Sequence, residues 1–128
     1  MESSFKKLKV WQRAKDLAVY IYKLTDQGKI SKDYSLKDQM RRSAVSIPSN
    51  IAEGDERETN KESVRFFYIA RASSAELLTQ TMIANEVAYI GDDELKYVEA
   101  EAVGISSMLY KLIGARCSAP NKKPVKGK

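Results

Sequence analysis

The stretch Thr59-Asn-Lys-Glu-Ser-Val-Arg-Phe-Phe-Tyr-Ile-Ala-Arg-Ala-Ser-Ser-Ala-Glu-Leu77 opens the longest periodic segment of the chain. Thr59 and Glu62 stand three apart ahead of an apolar run, the spacing of a capping box at a helix start. Behind them Phe67, Ala70, Ser74, Leu77, Thr81, Ala84 and Ala88 alternate steps of three and four. That period places them on one stripe of a helix, with Gly91 as its stop. The centre, Ala70 to Ala75, is built of small side chains apart from Arg71 and predicts a tight crossing with a neighbouring helix.

The same period recurs on both sides. Val10, Ala14, Leu17, Ile21 and Leu24 form one stripe of a first helix over about Val10 to Gln27, with Trp11, Ala18 and Tyr22 beside it and Gly28 as the stop. A second helix starts near Ser35, where Asp38 completes an Asp variant of the capping box, and carries Leu36, Met40, Ala44, Ile47 and Ile51. Pro48 lies inside it. A proline removes one backbone donor and clashes with the carbonyl four residues back, here that of Ala44, so a kink or break is expected at Pro48 and a stop at Gly54. A fourth helix, capped by Asp92 or Asp93, carries Leu95, Val98, Ala102, Ile105, Leu109 and Leu112 and ends near Gly114 to Cys117. No stretch has period two. Four amphipathic helices with short connections define an all-α, antiparallel up-and-down four-helix bundle over residues 1–117.

Composition narrows the chemistry. The 128 residues suit one domain, and they include no histidine and a single cysteine, Cys117. A zinc site assembled from Cys and His, a Glu-x-x-His di-iron site and a His-based triad are all excluded, so no metal or cofactor is expected. One cysteine forms no intrachain disulfide, which fits a reducing, cytoplasmic compartment. No apolar run reaches membrane-spanning length, and Met1 to Val10 does not read as a signal peptide.

Charge is unevenly spread. The total is +5, with 22 Lys and Arg against 17 Asp and Glu. Residues 116–128 hold Arg116, Lys122, Lys123, Lys126 and Lys128 and no acid, and Lys6, Lys7 and Lys9 face only Glu2 at the other end. Residues 10–115 are left at −2. Residues 118–128 have two prolines, one glycine and one large apolar side chain, and read as a disordered basic tail. Such ends either hold phosphates with salt-dependent affinity or merely solubilise.

Apolar residues exceed what one bundle interior needs. Trp11, Tyr22, Phe66, Ile69, Tyr89, Tyr97 and Tyr110 lie off the main stripes. Extra stripes on a small bundle point to self-association, commonly in closed symmetry, whereas a wide core face is the plainer alternative.

The run Gln39-Met-Arg-Arg-Ser-Ala-Val-Ser-Ile-Pro-Ser-Asn-Ile-Ala-Glu-Gly54 resembles the bacterial 23S rRNA intervening-sequence protein family, also called the four helix bundle protein family. Leu8 to Ala18, Arg65 to Leu77 and Ala88 to Ile90 agree with it, so the likeness spans roughly residues 5–113. It implies a four-helix bundle assembling into a pentameric ring, with no enzymatic activity. It also implies kinship with the accessory variability protein of diversity-generating retroelements, which binds a reverse transcriptase and nucleic acid. Two departures stand out: Ala72 where the family usually has Gly, and Asp55-Glu56-Arg57 where a Gly-Arg pair is usual. The second makes that loop more acidic and less suited to phosphate.

Among the motif residues, Arg41 and Arg42 point about 100° apart on a helix, so one can face solvent and the other a seam. For Arg42 an ion pair with Glu53 or Glu76 is expected. For Arg41 with Lys37, phosphate contact and a structural role both stay open. Ser46, Ser49 and Asn50 flank Pro48 and can satisfy the carbonyl it orphans. Arg71 and Glu76, in the small-residue segment, read as a paired specificity device at a seam.

Two functions compete. One is an oligomeric, non-catalytic scaffold binding RNA or DNA through Lys6, Lys7, Lys9, Lys37, Arg41, Arg116 and the tail lysines, serving a reverse transcriptase or an rRNA-related process. The other is a protein-interaction adaptor without nucleic-acid contact. An enzyme fits least, because no carboxylate pair or glycine-rich phosphate loop stands out.

Overall fold

The computed structural model describes residues 4–121. A 3-10 turn, Ser4–Lys7, leads into α1, Lys9–Leu24. A second 3-10 turn, Lys29–Lys32, precedes α2, Tyr34–Asp55, then α3, Asn60–Glu86, and α4, Asp92–Cys117. No strand occurs among the described residues. Helices α2 and α3 share the longest seam, α3 and α4 the next, and α1 closes the bundle against α2 and α4. Contacts run in opposite senses along each pair. Ser43 meets Gln80, Ser46 meets Ser73 and Gly54 meets Ser63 across α2 and α3. Ser74 meets Ala102 and Arg71 meets Ser106 across α3 and α4.

The core is the four stripes. Val10, Ala14, Leu17 and Ile21 from α1, Met40, Ala44, Ile47 and Ile51 from α2, Phe67, Ala70, Leu77 and Ala84 from α3, and Val98, Ala102, Ile105 and Leu109 from α4 are all buried. Burying one such large side chain stabilises by about 1.5–3 kcal/mol, so these stripes set the topology.

Several ends fall elsewhere than the sequence suggests. α1 stops at Leu24, four residues before Gly28, because the Thr25 hydroxyl donates to the Ile21 carbonyl at 2.7 Å and turns the chain. Gly28 instead takes φ +67°, a conformation that favours glycine, to open the next turn. α2 is capped not by Ser35 but by Asp33, whose carboxylate accepts from the Leu36 amide at 3.1 Å. α3 ends at Glu86 rather than running to Gly91. Ala88 has φ +65°, and Tyr89 N–H returns to the Ala84 carbonyl at 2.9 Å. Ala88 is thus exposed and outside the stripe. α4 is capped from Gly91, whose amide donates to Glu94 Oε1 at 2.8 Å, rather than by Asp92 or Asp93.

α2 does not break at Pro48: it continues through the proline to Asp55. Pro48 is buried. Asn50 does not turn back to the Ala44 carbonyl: its amide donates to the carbonyl and hydroxyl of Ser46 at 2.8 and 2.9 Å. Ser46 Oγ in turn lies 2.8 Å from Ser73 Oγ. The polar residues around the proline are therefore joined to α3.

The small-residue segment of α3 does approach its neighbours closely. Ser73 reaches a hydroxyl of α2, and Ser74 Oγ donates to the main-chain carbonyl of Ala102 on α4 at 3.0 Å. At the other end of the α2–α3 seam, a Cβ on Gly54 would sit 2.7 Å from Phe67 Cε1, so glycine is required there by the ring.

Candidate nucleic-acid interface

The first described turn and the end of α4 meet at one end of the bundle. Asp55, the last residue of α2, is buried, and its Oδ1 accepts from Arg116 Nη2 at 2.7 Å. Its other oxygen accepts from the Ser4 hydroxyl, which ties the first 3-10 turn to α2. Phe5 packs edge-on against Trp11 with centroids 5.1 Å apart, and Gln12 Nε2 donates to the Lys6 carbonyl at 2.8 Å. Lys6, Lys7 and Lys9 are thus exposed on a backbone held at three points. Nearby, Asn60 N–H donates to Asn121 Oδ1 and Asn60 Nδ2 to the Ala119 carbonyl, each at 2.7 Å. Ala119 and Asn121 thus meet the start of α3. Lys122, Lys123, Lys126 and Lys128 lie outside the described residues.

Two of the expected phosphate contacts are committed internally. Arg116 is only 15% exposed at its side chain, pairs with Asp55 and lies 5.3 Å from the Phe67 ring centroid. Arg41 Nε donates to Thr25 Oγ1 at 2.8 Å and Nη2 to the Tyr22 carbonyl at 3.1 Å, with the guanidinium 4.4 Å over the Tyr22 ring. It satisfies the open C-terminal end of α1, where a cation suits the helix dipole. Arg42 takes the solvent side: its side chain is 79% exposed and pairs with Asp38 at 3.0 Å, not with Glu53 or Glu76. The adjacent arginines do diverge: Arg42 takes the solvent side rather than the expected seam, and Arg41 takes the structural role, one of the two left open for it. Which of the pair meets α1 depends on the rotation of α2 in the bundle, and sequence periodicity does not set that angle finely enough. Arg41→Ala is expected to lower stability by about 1–3 kcal/mol, the cost of freeing hydrogen bonds to a charged group. Arg42→Ala is expected to change it by less than about 0.5 kcal/mol. Parallel denaturant melts check both.

The remaining motif residues also differ in partner. Glu53 pairs with Arg57 at 3.5 Å, and the Arg57 guanidinium lies 4.6 Å over Phe66. Arg71 donates to Ser106 Oγ at 3.1 Å and lies 5.5 Å over Tyr110, so it bridges α3 to α4 without Glu76. Glu76 is exposed and makes no ion pair among the described residues. Asp55 does not acidify a surface loop, because it is buried against Arg116.

Contacts that no sequence signal marked complete the frame. Arg13 pairs with Glu101 at 2.7 Å across α1 and α4, and its guanidinium lies over Gly104 where a Cβ would collide. The hydrogen bond to Glu101 raises the Arg13 pKa above its ordinary value. Tyr20 and Tyr97 meet with centroids 4.4 Å apart, and burial pushes both phenols up. Tyr89 donates to Asp33 Oδ2 at 3.0 Å, which raises the Tyr89 pKa and joins the α3–α4 connection to the cap of α2.

Between α2 and α3 runs an open groove of about 960 Å³. Lys37 and Arg42 line it from α2, Glu76 and Gln80 from α3, and Tyr34 stands at one end. Lys37, an expected phosphate contact, is half-buried with its ammonium 5.2 Å from the Tyr34 ring centroid. Tyr34 and Gln80 carry no signal in the sequence, since each sits off the apolar stripes and outside any cluster of basic residues.

No helix among the described residues is long and apolar enough to cross a membrane, and no cluster of three potential metal ligands occurs among them. Fold and surface together define an all-helical bundle whose polar features are seams, caps and a mixed-charge groove. The chain belongs to the 23S rRNA-intervening sequence protein family, whose pattern matches residues 6–111. It is similar in fold to the crystal structure of a protein of unknown function from the S23 ribosomal protein family of Bacteroides thetaiotaomicron. That likeness has a TM-score of 0.75 at 21% identity and covers 81% of this chain and 97% of the other. No curated protein matches the sequence.

Proposed function

We propose that the chain is a non-catalytic, self-associating helical scaffold of the cytoplasm that holds nucleic acid by its phosphates. In this reading it serves as an accessory to an rRNA-related process or a reverse transcriptase. The observation that carries this is the end of the bundle where Lys6, Lys7 and Lys9 are exposed on a fastened turn, beside the point from which the tail lysines depart. Cations fixed on a rigid element lose less entropy on binding than free ones, so a small number can suffice. Arg41 and Arg116, being internally committed, are left out of the contact set.

Self-association is supported by the outward face of α3. Tyr68, Ile69, Met82, Ile83 and Val87 are exposed there, interleaved with the small Ala72, Ala75 and Thr79. Trp11 and Tyr89 pack on the core and so leave this surplus. Tyr110, though 66% exposed, lies under Arg71. A helix apolar on two sides is ordinarily covered on both. A closed ring, with five subunits as the resemblance implies, would place several basic ends on one assembly and multiply weak phosphate contacts. The competing adaptor reading rests on the same α3 face with a different protein as its cover.

The test is the salt dependence of RNA and DNA binding. Lys6→Glu/Lys7→Glu/Lys9→Glu is expected to reduce the slope of log affinity against log salt by about 0.9 for every phosphate no longer neutralised, roughly 3 in all. Truncation after Asn121 removes the four tail lysines while keeping the Asn60 hydrogen bonds, and is expected to reduce it further. Absence of binding by the full chain at low salt rejects the reading. Recovery of a protein partner through nuclease treatment would then favour the adaptor.

A further inference from the structure

We infer that the α2–α3 groove is a binding site for single-stranded nucleic acid, taking a phosphate on the α2 wall and a base edge on the α3 wall. This rests on the nucleic-acid reading above but places a second, base-sensing contact away from the basic end. The two walls differ in chemistry. Lys37, Asp38 and Arg42 stand on α2; Arg42 is paired with Asp38, and Lys37 makes no ion pair among the described residues, so Lys37 is the cation left for a phosphate. Glu76 and Gln80 stand on α3.

Gln80 is the telling residue. It is 93% buried, being 7% exposed, and its Oε1 accepts from the Ser43 hydroxyl at 2.7 Å. That bond fixes the amide and leaves its NH₂ without a partner among the described residues. The nitrogen is also not among the polar atoms sealed from solvent without a partner, so it opens on the groove it lines. Water can accept from these donors in the open groove, and a ligand acceptor that replaces that water would make the same bonds. Close by in sequence, one helical turn earlier on the same helix, Glu76 offers an unpaired acceptor. A donor pair beside an acceptor matches the polar edge of an amino-bearing base, where a carboxylate accepts from an exocyclic amine and an amide bonds the adjacent acceptor.

The groove also holds an aromatic platform. Tyr34 is 72% exposed with no apolar cover, and Lys37 stands beside its ring. Aromatic stacking plus a flanking cation is the usual way to hold an unpaired base without needing a duplex. From Tyr34 to Ser46 the α2 wall spans twelve helical steps, about 18 Å at the helical rise. That length accommodates more than one nucleotide. A double helix keeps its bases paired and stacked, so it can offer the groove phosphates only.

The experiment titrates the full chain with labelled 12-nucleotide strands of adenine, cytosine or 3-methyluracil and with a duplex of equal length, at one low salt concentration. Wild-type protein is expected to bind the adenine and cytosine strands more tightly than the 3-methyluracil strand, whose pairing edge carries no donor for the Glu76 carboxylate. Tyr34→Ala is expected to weaken the adenine and cytosine strands roughly tenfold and to leave the duplex within about twofold. Glu76→Ala is expected to erase the preference over 3-methyluracil. Both positions are exposed, so thermal melts should match wild type. The triple Lys6, Lys7 and Lys9 variant is expected to weaken strands and duplex alike. Duplex binding that survives while all strands bind equally, or while Tyr34→Ala has no effect on them, overturns the groove and leaves the phosphate-binding scaffold standing. Failure of wild type to bind either form overturns both.

Discussion

Asp55→Ala is expected to destabilise the bundle by about 3–5 kcal/mol, because it leaves a largely buried arginine side chain without its counter-charge. Arg116 is 15% exposed at its side chain and its Nη1 has no partner among the described residues. Removing Asp55 takes away the 2.7 Å acceptor of Nη2 as well. The same change releases Ser4, so the first 3-10 turn loses one of its three fastenings. The pair need not be stabilising in itself, since a buried ion pair is often matched by apolar residues of similar volume. Asp55→Ala/Arg116→Met is therefore expected to recover most of the loss. Denaturant melts of the two single variants and the double, at fixed protein concentration because the chain is proposed to self-associate, measure the coupling. Equal losses in Asp55→Ala and the double variant would reject the account. The N-terminal turn supplies a second readout: hydrogen exchange of residues 5–8 should rise in Asp55→Ala, and in the double variant too, since neither keeps the Ser4 acceptor.

Phe67→Ala is expected to cost about 3–5 kcal/mol, the range for deleting a buried aromatic ring. Phe67 is fully buried and fills the end of the α2–α3 seam against Gly54. Its neighbour gives a sharper test by sign. Gly→Ala inside a helix ordinarily gains about 0.5–1 kcal/mol through propensity. At Gly54 the new Cβ would stand 2.7 and 2.9 Å from two carbons of the Phe67 ring and 3.0 Å from the Ser63 carbonyl. Overpacking of this kind costs about 1–3 kcal/mol, so Gly54→Ala should destabilise. In the Phe67→Leu background the ring is gone and the penalty should shrink. A Gly54→Ala variant more stable than wild type would show that the ring moves aside freely.

The helices themselves are legible in the sequence. Four stripes of period three and four name nearly all the core residues, because an amphipathic helix can bury only one face. Thr59 is legible as a cap: its hydroxyl accepts from Glu62 N–H at 3.3 Å. Other boundaries move by a few residues where a side chain competes locally, as Thr25 does at the end of α1 and Asp33 at the start of α2. Of the kink or break expected at Pro48, the break does not occur. The helix on both sides is clamped by buried contacts, Ile47 and Ile51 in the core and Ser46 to Ser73 across the seam. Tertiary packing outweighs a single missing backbone hydrogen bond.

Charge is the least legible part. Arg41, Arg42 and Arg116 look alike as cations in the sequence, yet one seals a helix end, one faces solvent and one is paired with the buried Asp55. Glu76, expected in a pair, stands alone, while Arg13 and Glu101, 88 positions apart, form an ion pair.

By itself the sequence determined the helical class, the stripes that become the core, and the chemistry excluded by the absence of histidine and the single cysteine. Those follow from local period and from composition, which need no knowledge of neighbours. Only the tertiary structure decided which charges are spent inside, that the first described turn and the end of α4 converge on Asp55, and that Tyr34, Lys37, Glu76 and Gln80 line one groove. Such facts depend on the rotation of each helix about its own axis. A turn of one residue, about 100°, exchanges an arginine held at a seam for an exposed one, and that angle is set by how the side chains of different helices fit together.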